Sequence, residues 1–270
     1  MYINLFDSHV HSDNSPEGRD LVTALCSTAV DKGISGICVT DSCDMQEFEE
    51  QRYGKRLMYS CFAARKAQDV FSQQLIVTNG VEMCQPLADP VRAEEVIGKN
   101  RFDFVLGSLH KTRRYGDMMM LNYAHPALDL QDVFRSYYEE LLEVVQWGRF
   151  DSLAHLGYPL RYLKPYNRTV DLAKMDDVFA EIMKGLVERG IALELNTGGL
   201  RMEIEAFTPS NKYLAMYRDY GGEMITIGSD AERCEDIGCD IQAGMELLKS
   251  VGFKYFTFFK NRQPVMLRLL

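Results

Sequence analysis

Short runs of β-branched and other apolar residues punctuate the chain at Leu5–His9, Ser35–Asp41, Leu75–Glu82, Phe104–His110, Ser152–His155, Ile191–Asn196 and Met224–Asp230, with a late one at Tyr255–Phe259. Runs of this length bounded by polar residues read as buried strands. Between them, apolar residues recur at helical spacing over Asp20–Lys32, Arg56–Gln73, Leu130–Trp147, Lys174–Arg189, Ser210–Tyr220 and Ile237–Val251. Glycines at 33, 148, 190 and 221–222 follow helical runs, where a left-handed residue closes a helix. Strand–helix alternation predicts parallel strands joined by helical crossovers, an α/β fold with seven or eight strands. No Pro/Gly/Ser-rich linker, charge block or fixed-period repeat divides residues 1–270, so one domain is expected.

Composition narrows the functional classes. With 39 acidic against 30 basic residues, a net charge of −9 gives no attraction for a nucleic-acid backbone or an anionic membrane surface. No apolar run approaches the ~18 residues of a membrane span. The opening MYINLFDSHVH has neither the basic segment nor the apolar stretch of an export signal. Seven cysteines without a CxxC pair read as reduced thiols. The expectation is a cytoplasmic protein acting on a small molecule, without nucleic-acid or membrane partners. It would be a monomer or a homodimer, since no feature demands either.

Chemistry gathers at the strand ends. His9, His11, Asp41, Glu82, His110, His155, Glu194, Asn196 and Asp230 all terminate or follow predicted strands. In parallel barrels that end carries the active site, because each strand delivers its last side chain to one mouth. Four of the five histidines lie there, while His125 falls in a loop. His9-Val-His11 is a period-two pair whose imidazoles leave the same side of an extended segment. With Glu82 and Asp230 it forms a nitrogen and oxygen donor set suited to zinc, manganese or iron rather than a thiolate site. The Gly-Ser step before Asp230 implies backbone turning closely around something. Asp7 shares the His9 face and is expected to fix an imidazole tautomer. Asp41 reads equally as a ligand and as a helix cap or loop anchor. Cys43 and Cys84 read as buried thiols. Met118–Met120 read as packing or a substrate lid, and Gly198-Gly199 as a tight loop or a close approach to a ligand, with Arg201 just beyond.

In order along the chain, DSHVHS, VTDS, GVEM, LGSLH, LAHLGYPLRY, ELNTGGLR and ITIGSDAE resemble the motif series of the polymerase-and-histidinol-phosphatase (PHP) metalloesterases, and within them the histidinol-phosphate phosphatases. The resemblance runs from Asp7 to the C-terminal GFKYFTFFKNRQP. It implies a distorted (β/α)7 TIM-like barrel with two or three divalent metals at the C-terminal end of the strands. His9, His11, Glu82 and Asp230 would hold the first metal; Glu82, bridging, would hold the second with His110 and His155. A third metal in such proteins is held by a His or acid after the HxH strand, the His of a Thr-Asp-His motif and the His of a Gly-Ser-Asp-Ala-His motif. Glu17, Ser42 and Glu232 stand at those places here. Carboxylates there would favour a harder ion such as magnesium or manganese, whereas the neutral Ser42 would leave the position weak. The second reading gives a two-metal core.

Hydrolysing a phosphate monoester near neutral pH needs an activated water and counter-charge for the phosphoryl oxygens, which a divalent pair supplies. Glu82, Asp230 and Arg161 are the expected catalytic residues. Arg161 is the leading phosphate clamp, because its guanidinium can hold two oxygens at once, with Arg201 and Lys111 as weaker substrate contacts. Glu17, Asp44, Glu47 and Asp117 could meet the cationic amine and imidazole of a histidinol phosphate. The expected reaction is L-histidinol phosphate plus water to L-histidinol plus phosphate, in histidine biosynthesis. The alternatives are a phosphoesterase of the same fold acting on another small phosphorylated metabolite, and a weakened binding or regulatory relative.

Overall fold

Strand β1 (Phe6–Val10) is buried at every position. A Phe-Asp-Ser-His-Val sequence tolerates this only where its polar face is enclosed as fully as its apolar one. The enclosure is a barrel. The computed structural model, which describes residues 5–202 and 204–269, places β2 (Gly36–Val39), β4 (Ile76–Cys84), β5 (Phe104–Ser108), β8 (Ser152–Leu153), β9 (Ala192–Asn196) and β10 (Ile225–Gly228) after β1 in spatial order, with β3 (Ser42–Asp44) beside the end of β4. Every neighbouring pair on this path is parallel. The ring closes where the Asp230 amide donates to His9 O at 2.9 Å and the His11 amide to Ala231 O at 2.8 Å. The expected TIM-like barrel is therefore the observed one.

The crossovers are α1 (Val22–Asp31), α2 (Tyr53–Val70), α3 (Pro90–Asn100), α4 (Leu130–Trp147), α5 (Asp176–Arg189), α6 (Asn211–Asp219) and α7 (Ile241–Val251). Helix α4 starts where Asp129 accepts from the Gln131 and Asp132 amides at 3.0 and 3.2 Å and stops at Gly148, whose φ of 64° is left-handed. Helix α3 lies outside the predicted helices. Its signal is Asp89-Pro90, an N-cap accepting from the Arg92 amide at 3.0 Å followed by a proline in the first turn. No helix among the described residues is long and apolar enough to cross a membrane.

The Tyr255–Phe259 run is a strand, but not a barrel strand. It forms an antiparallel hairpin of β11 (Tyr255–Lys260) and β12 (Gln263–Arg268); β6 (Lys111–Thr112) and β7 (Gly116–Asp117) form another, short ribbon. The β11–β12 hairpin sits against the N-terminal ends of the barrel strands. Phe258 stacks on Phe6 at 4.4 Å and Phe259 on Phe104 at 5.2 Å between ring centroids. Asp103 accepts from the Asn261 amide at 2.9 Å, and Asp151 pairs with Arg262. An apolar β-rich run cannot by itself distinguish a barrel stave from a cap over the barrel's end.

Candidate metal centre

The site is assembled at the opposite, C-terminal ends of the strands. Beyond β10, Asp230 adopts a left-handed φ of 57°, uncommon for a residue with a side chain. Its amide is tied to His9 O, and its Oδ1 lies 3.5 Å from His9 Nε2 and 3.4 Å from His11 Nε2. The two imidazole Nε2 atoms are 3.0 Å apart. The Gly-Ser step has a steric cause. A Cβ on Gly228 would lie 2.4 Å from His9 Cβ and 2.5 Å from Glu194 Oε1, so only glycine lets β10 pass these side chains.

A second group lies next to it. Glu82 Oε1 is 2.8 Å from His155 Nε2 and 3.3 Å from His110 Nε2, and those two nitrogens are 3.3 Å apart. The other oxygen of Glu82 faces the first group, 3.9 Å from His9 Nε2 and 3.8 Å from His11 Nε2. His9, His11 and Asp230 form one set of donors, Glu82, His110 and His155 a second, and His11, Glu17 and Glu82 a third. Edges of these lengths separate the corners of a polyhedron drawn around a cation with bonds of ~2.0–2.2 Å. The residues present fit divalent metals.

The outer ring nitrogens are held by carboxylates. His9 Nδ1 donates to Glu194 Oε1 at 2.7 Å, which leaves the Nε2 lone pair facing the cluster. Glu194 Oε2 also accepts from the His155 amide at 2.6 Å. His11 Nδ1 lies 3.0 Å from Glu17 Oε1 and 3.2 Å from Ser15 Oγ. Glu194 is a strand-end acid whose partner nothing in the local sequence marks. Asp7, expected to orient an imidazole, instead accepts from the Ser229 and Gly238 amides at 2.8 and 2.9 Å. Two residues below His9 on the strand, it sits one layer deeper in the barrel and anchors the turn after β10. Asp41 anchors a loop: it accepts from the Ser12 amide at 2.6 Å and from the hydroxyls of Ser12, Ser15 and Ser60 at 2.7, 3.0 and 2.5 Å.

This concentration of buried donors perturbs its own ionisation. Burial alone would lower His9, but the Glu194, Asp230 and Glu82 carboxylates overcome it and raise the imidazole to about 9. His11 is likewise raised against burial, by Glu17, Asp230 and Glu82. Burial pulls Glu82 upward, yet His110 and His155 hold it well below the usual carboxylate range; His9, His11 and Arg161 do the same for Asp230. Glu232 is raised by burial and by the nearby Asp230 charge. His155, by contrast, is lowered by its burial, and the carboxylates favour protons on His9 and His11 that a bound metal would displace.

A cavity of about 410 Å³ opens above the cluster, lined by donors of all three sets together with Ser42, Asp44, Glu47, Met119, Tyr158, Arg161, Tyr162 and Glu232. Arg161 reaches Asp230 Oδ2 at 3.4 Å, lies 4.6 Å from the centre of the Tyr158 ring, and keeps a buried Nε without a partner. Ser42 Oγ hydrogen-bonds Glu17 and lies 3.1 Å from Glu82 Oε2. Glu232 lines the same wall. Two candidate substrate contacts do not line the cavity: Lys111 lies behind its wall, and Arg201 lies outside it with its Nη1 buried and unpartnered. Lys111 is held by Asp44 at 3.0 Å and by Glu47, and Arg201 donates to Ser229 O at 2.7 Å and pairs with Asp236 at 3.2 Å. Asp117 caps the Met119 amide at 2.8 Å. Met118 is fully buried, whereas Met119 and Met120 are exposed.

Residues 7–198 match the family model described as the PHP domain. The chain belongs to that family. The match spans the six donors from His9 to His155, Glu17 included; Asp230, beyond it, reaches the PHP site through the closing strand. Over 257 residues the chain is 29% identical to the "probable histidinol-phosphatase" of Thermotoga maritima, covering 93% of this chain and 94% of that one. It is 26% identical over 260 residues to the histidinol-phosphatase of Lactococcus lactis, covering 94% of each. The crystal structure of histidinol phosphate phosphatase from Lactococcus lactis, complexed with zinc, L-histidinol and phosphate, shares the fold with a TM-score of 0.77 at 23% identity, covering 98% of this chain and 100% of that one.

Proposed function

We propose that this PHP-domain chain is a metal-dependent phosphate monoesterase that converts L-histidinol phosphate and water to L-histidinol and phosphate in histidine biosynthesis. The observation that carries it is the convergence of four imidazoles and two carboxylates at the base of a cavity that Arg161 lines, with His9 just beneath the lining. The histidinol-phosphatase relatives, and the neighbour bearing L-histidinol and phosphate, support the substrate.

His9, His11, Asp230 and Glu82 would hold one ion, and Glu82, His110 and His155 another, as zinc, manganese or iron. Divalent ions there supply a water that ionises near neutral pH and positive charge for the phosphoryl oxygens. The chain's own residues do the rest. Glu194 and Glu17 hold the His9 and His11 rings so that both Nε2 atoms face inward. Arg161, braced on Asp230 and the Tyr158 ring at the cavity wall, would offer its guanidinium to the phosphoryl group. Ser42 and Glu17 are hydrogen-bonded to one another, and Glu17 is already engaged by His11, which favours two tightly held ions over three.

The test is hydrolysis of L-histidinol phosphate and of p-nitrophenyl phosphate by the metal-supplemented wild type and by Ser42→His/Glu232→His, with metal content measured on the same samples. The wild type should turn over histidinol phosphate in preference, with two metals per chain. Equal turnover of both esters would overturn the substrate and leave the phosphatase. Turnover confined to a three-metal double variant would overturn the two-metal reading.

A further inference from the structure

At the other end of the barrel lies a larger cavity, about 580 Å³, between the start of β4, the second half of α2 and the turn of the β11–β12 hairpin. Its charged lining is Arg65, Arg101, Lys260 and Asp103. The single acid is already satisfied: Asp103 accepts from the Asn79 amide at 3.0 Å, the Asn261 amide at 2.9 Å and Gln68 Nε2 at 3.3 Å. The cations are not. Arg65 spends one Nη2–H on Asn100 O at 2.7 Å. Neither the Arg101 guanidinium nor the Lys260 ammonium has a hydrogen-bond or ion-pair partner among the described residues. Three loosely compensated cations in one bowl run against a chain whose net charge is −9.

The floor adds a second observation. Asn79, 2% exposed on β4, lines this cavity, and neither its amide nitrogen nor its oxygen has a conventional hydrogen-bond partner. The Cys61 sulfur beside it is at most a weak acceptor for one amide N–H and leaves the rest of the amide unpaired. A buried amide left unpaired carries a desolvation cost that a bound ligand relieves. Ile76 and Val77 complete the lining with an apolar strip.

We infer that this bowl is a second ligand site that binds a small organic polyanion. Arg65, Arg101 and Lys260 take its charged oxygens, the Asn79 amide donates from the floor, and the Ile76–Val77 strip receives its carbon skeleton. Phosphate and carboxylate groups share this chemistry. The site is separate from the metal centre: Asn79 and Glu82 lie on one strand, three residues or about 10 Å apart.

Thermal unfolding of the metal-loaded protein in inorganic phosphate or in succinate tests the site, comparing wild type, Arg101→Glu/Lys260→Glu and Arg161→Ala. Anion exclusion from the surface raises the Tm of all three alike, so the difference between proteins carries the answer. The expected result is an added rise in the wild type and in Arg161→Ala that disappears on charge reversal. A response to phosphate alone assigns a phosphate group, and a response to succinate alone a carboxylate. Retention of the full rise by the charge-reversed protein would overturn the site, as would an absence of any specific rise in the wild type. The charge-reversed protein should still hydrolyse p-nitrophenyl phosphate at the wild-type rate, which also shows that it is folded.

Discussion

The two ends of the barrel are built on opposite principles from the same strands. At the N-terminal end, Phe6 and Phe104 begin β1 and β5 and are covered by Phe258 and Phe259 of the hairpin. Apolar area leaves water there, and the two acids at that rim, Asp103 and Asp151, are tied to the hairpin turn. At the C-terminal end, the same β1 finishes in two buried imidazoles facing buried carboxylates, next to an Asp230 held at positive φ. That arrangement gains little as packing, since buried charges bring a desolvation penalty that only good partners offset. One end contributes stability and the other concentrates charge for a cation. Because the hairpin, rather than a longer apolar barrel interior, supplies the cover, the interior stays free for polar side chains such as Asp7, Ser152, Glu194 and Thr226.

Substitutions should separate the two ends. The largest effect on chemistry is expected from Glu82→Gln, which removes the carboxylate shared by the donor sets. Hydrolysis of L-histidinol phosphate should fall below detection and bound metal should drop, as measured by turnover and metal analysis. Phe258→Ala should do the reverse, costing about 3–5 kcal/mol in denaturant unfolding while the folded fraction keeps its kcat. If Phe258→Ala lowered kcat as strongly as it lowered stability, the separation of the two ends would fail.

Smaller changes sharpen the comparison within the catalytic end. Arg161→Ala should reduce kcat/KM by about 10²–10³-fold with metal content unchanged, since it removes a preplaced cation and no metal donor. Unchanged phosphatase rates would remove Arg161 from the proposal. Glu194→Gln should weaken metal affinity by about 10–100-fold, read by competition with a chelator, with kcat recovering at saturating metal. Loss of kcat that no metal concentration restores would give Glu194 a role beyond holding His9.

Local pattern carried much of the architecture. Alternating apolar runs and helical spacings announced parallel strands joined by helical crossovers, the family resemblance implied their closure into a barrel, and α4 spans the residues Leu130–Trp147 that its periodicity marks. Strand-end position brought His9, His11, Glu82, His110, His155 and Asp230 together as candidates. Helix α3 lies outside the helices read from the sequence although Asp89-Pro90 signals its start; it is short, and only its Ala93 and Val96 are buried. Arg201, marked as a substrate contact by the glycine pair before it, lies outside the cavity lining and is bound to a nearby carbonyl and Asp236.

What the sequence alone determined was therefore most of what depends on a short period: strand or helix for all the long crossovers but α3, inward or outward face, and which donors end a strand. Only the tertiary structure decided partners between distant positions. Glu194, rather than Asp7, orients His9 across 185 residues of chain. Lys111 is spent on Asp44 and Glu47, and Tyr255–Phe259 closes the barrel instead of joining it. The reason is geometric. Side-chain direction repeats every 2.0 or 3.6 residues and is written locally, whereas a partner is fixed by strand register and ring closure, which depend on all the strands at once.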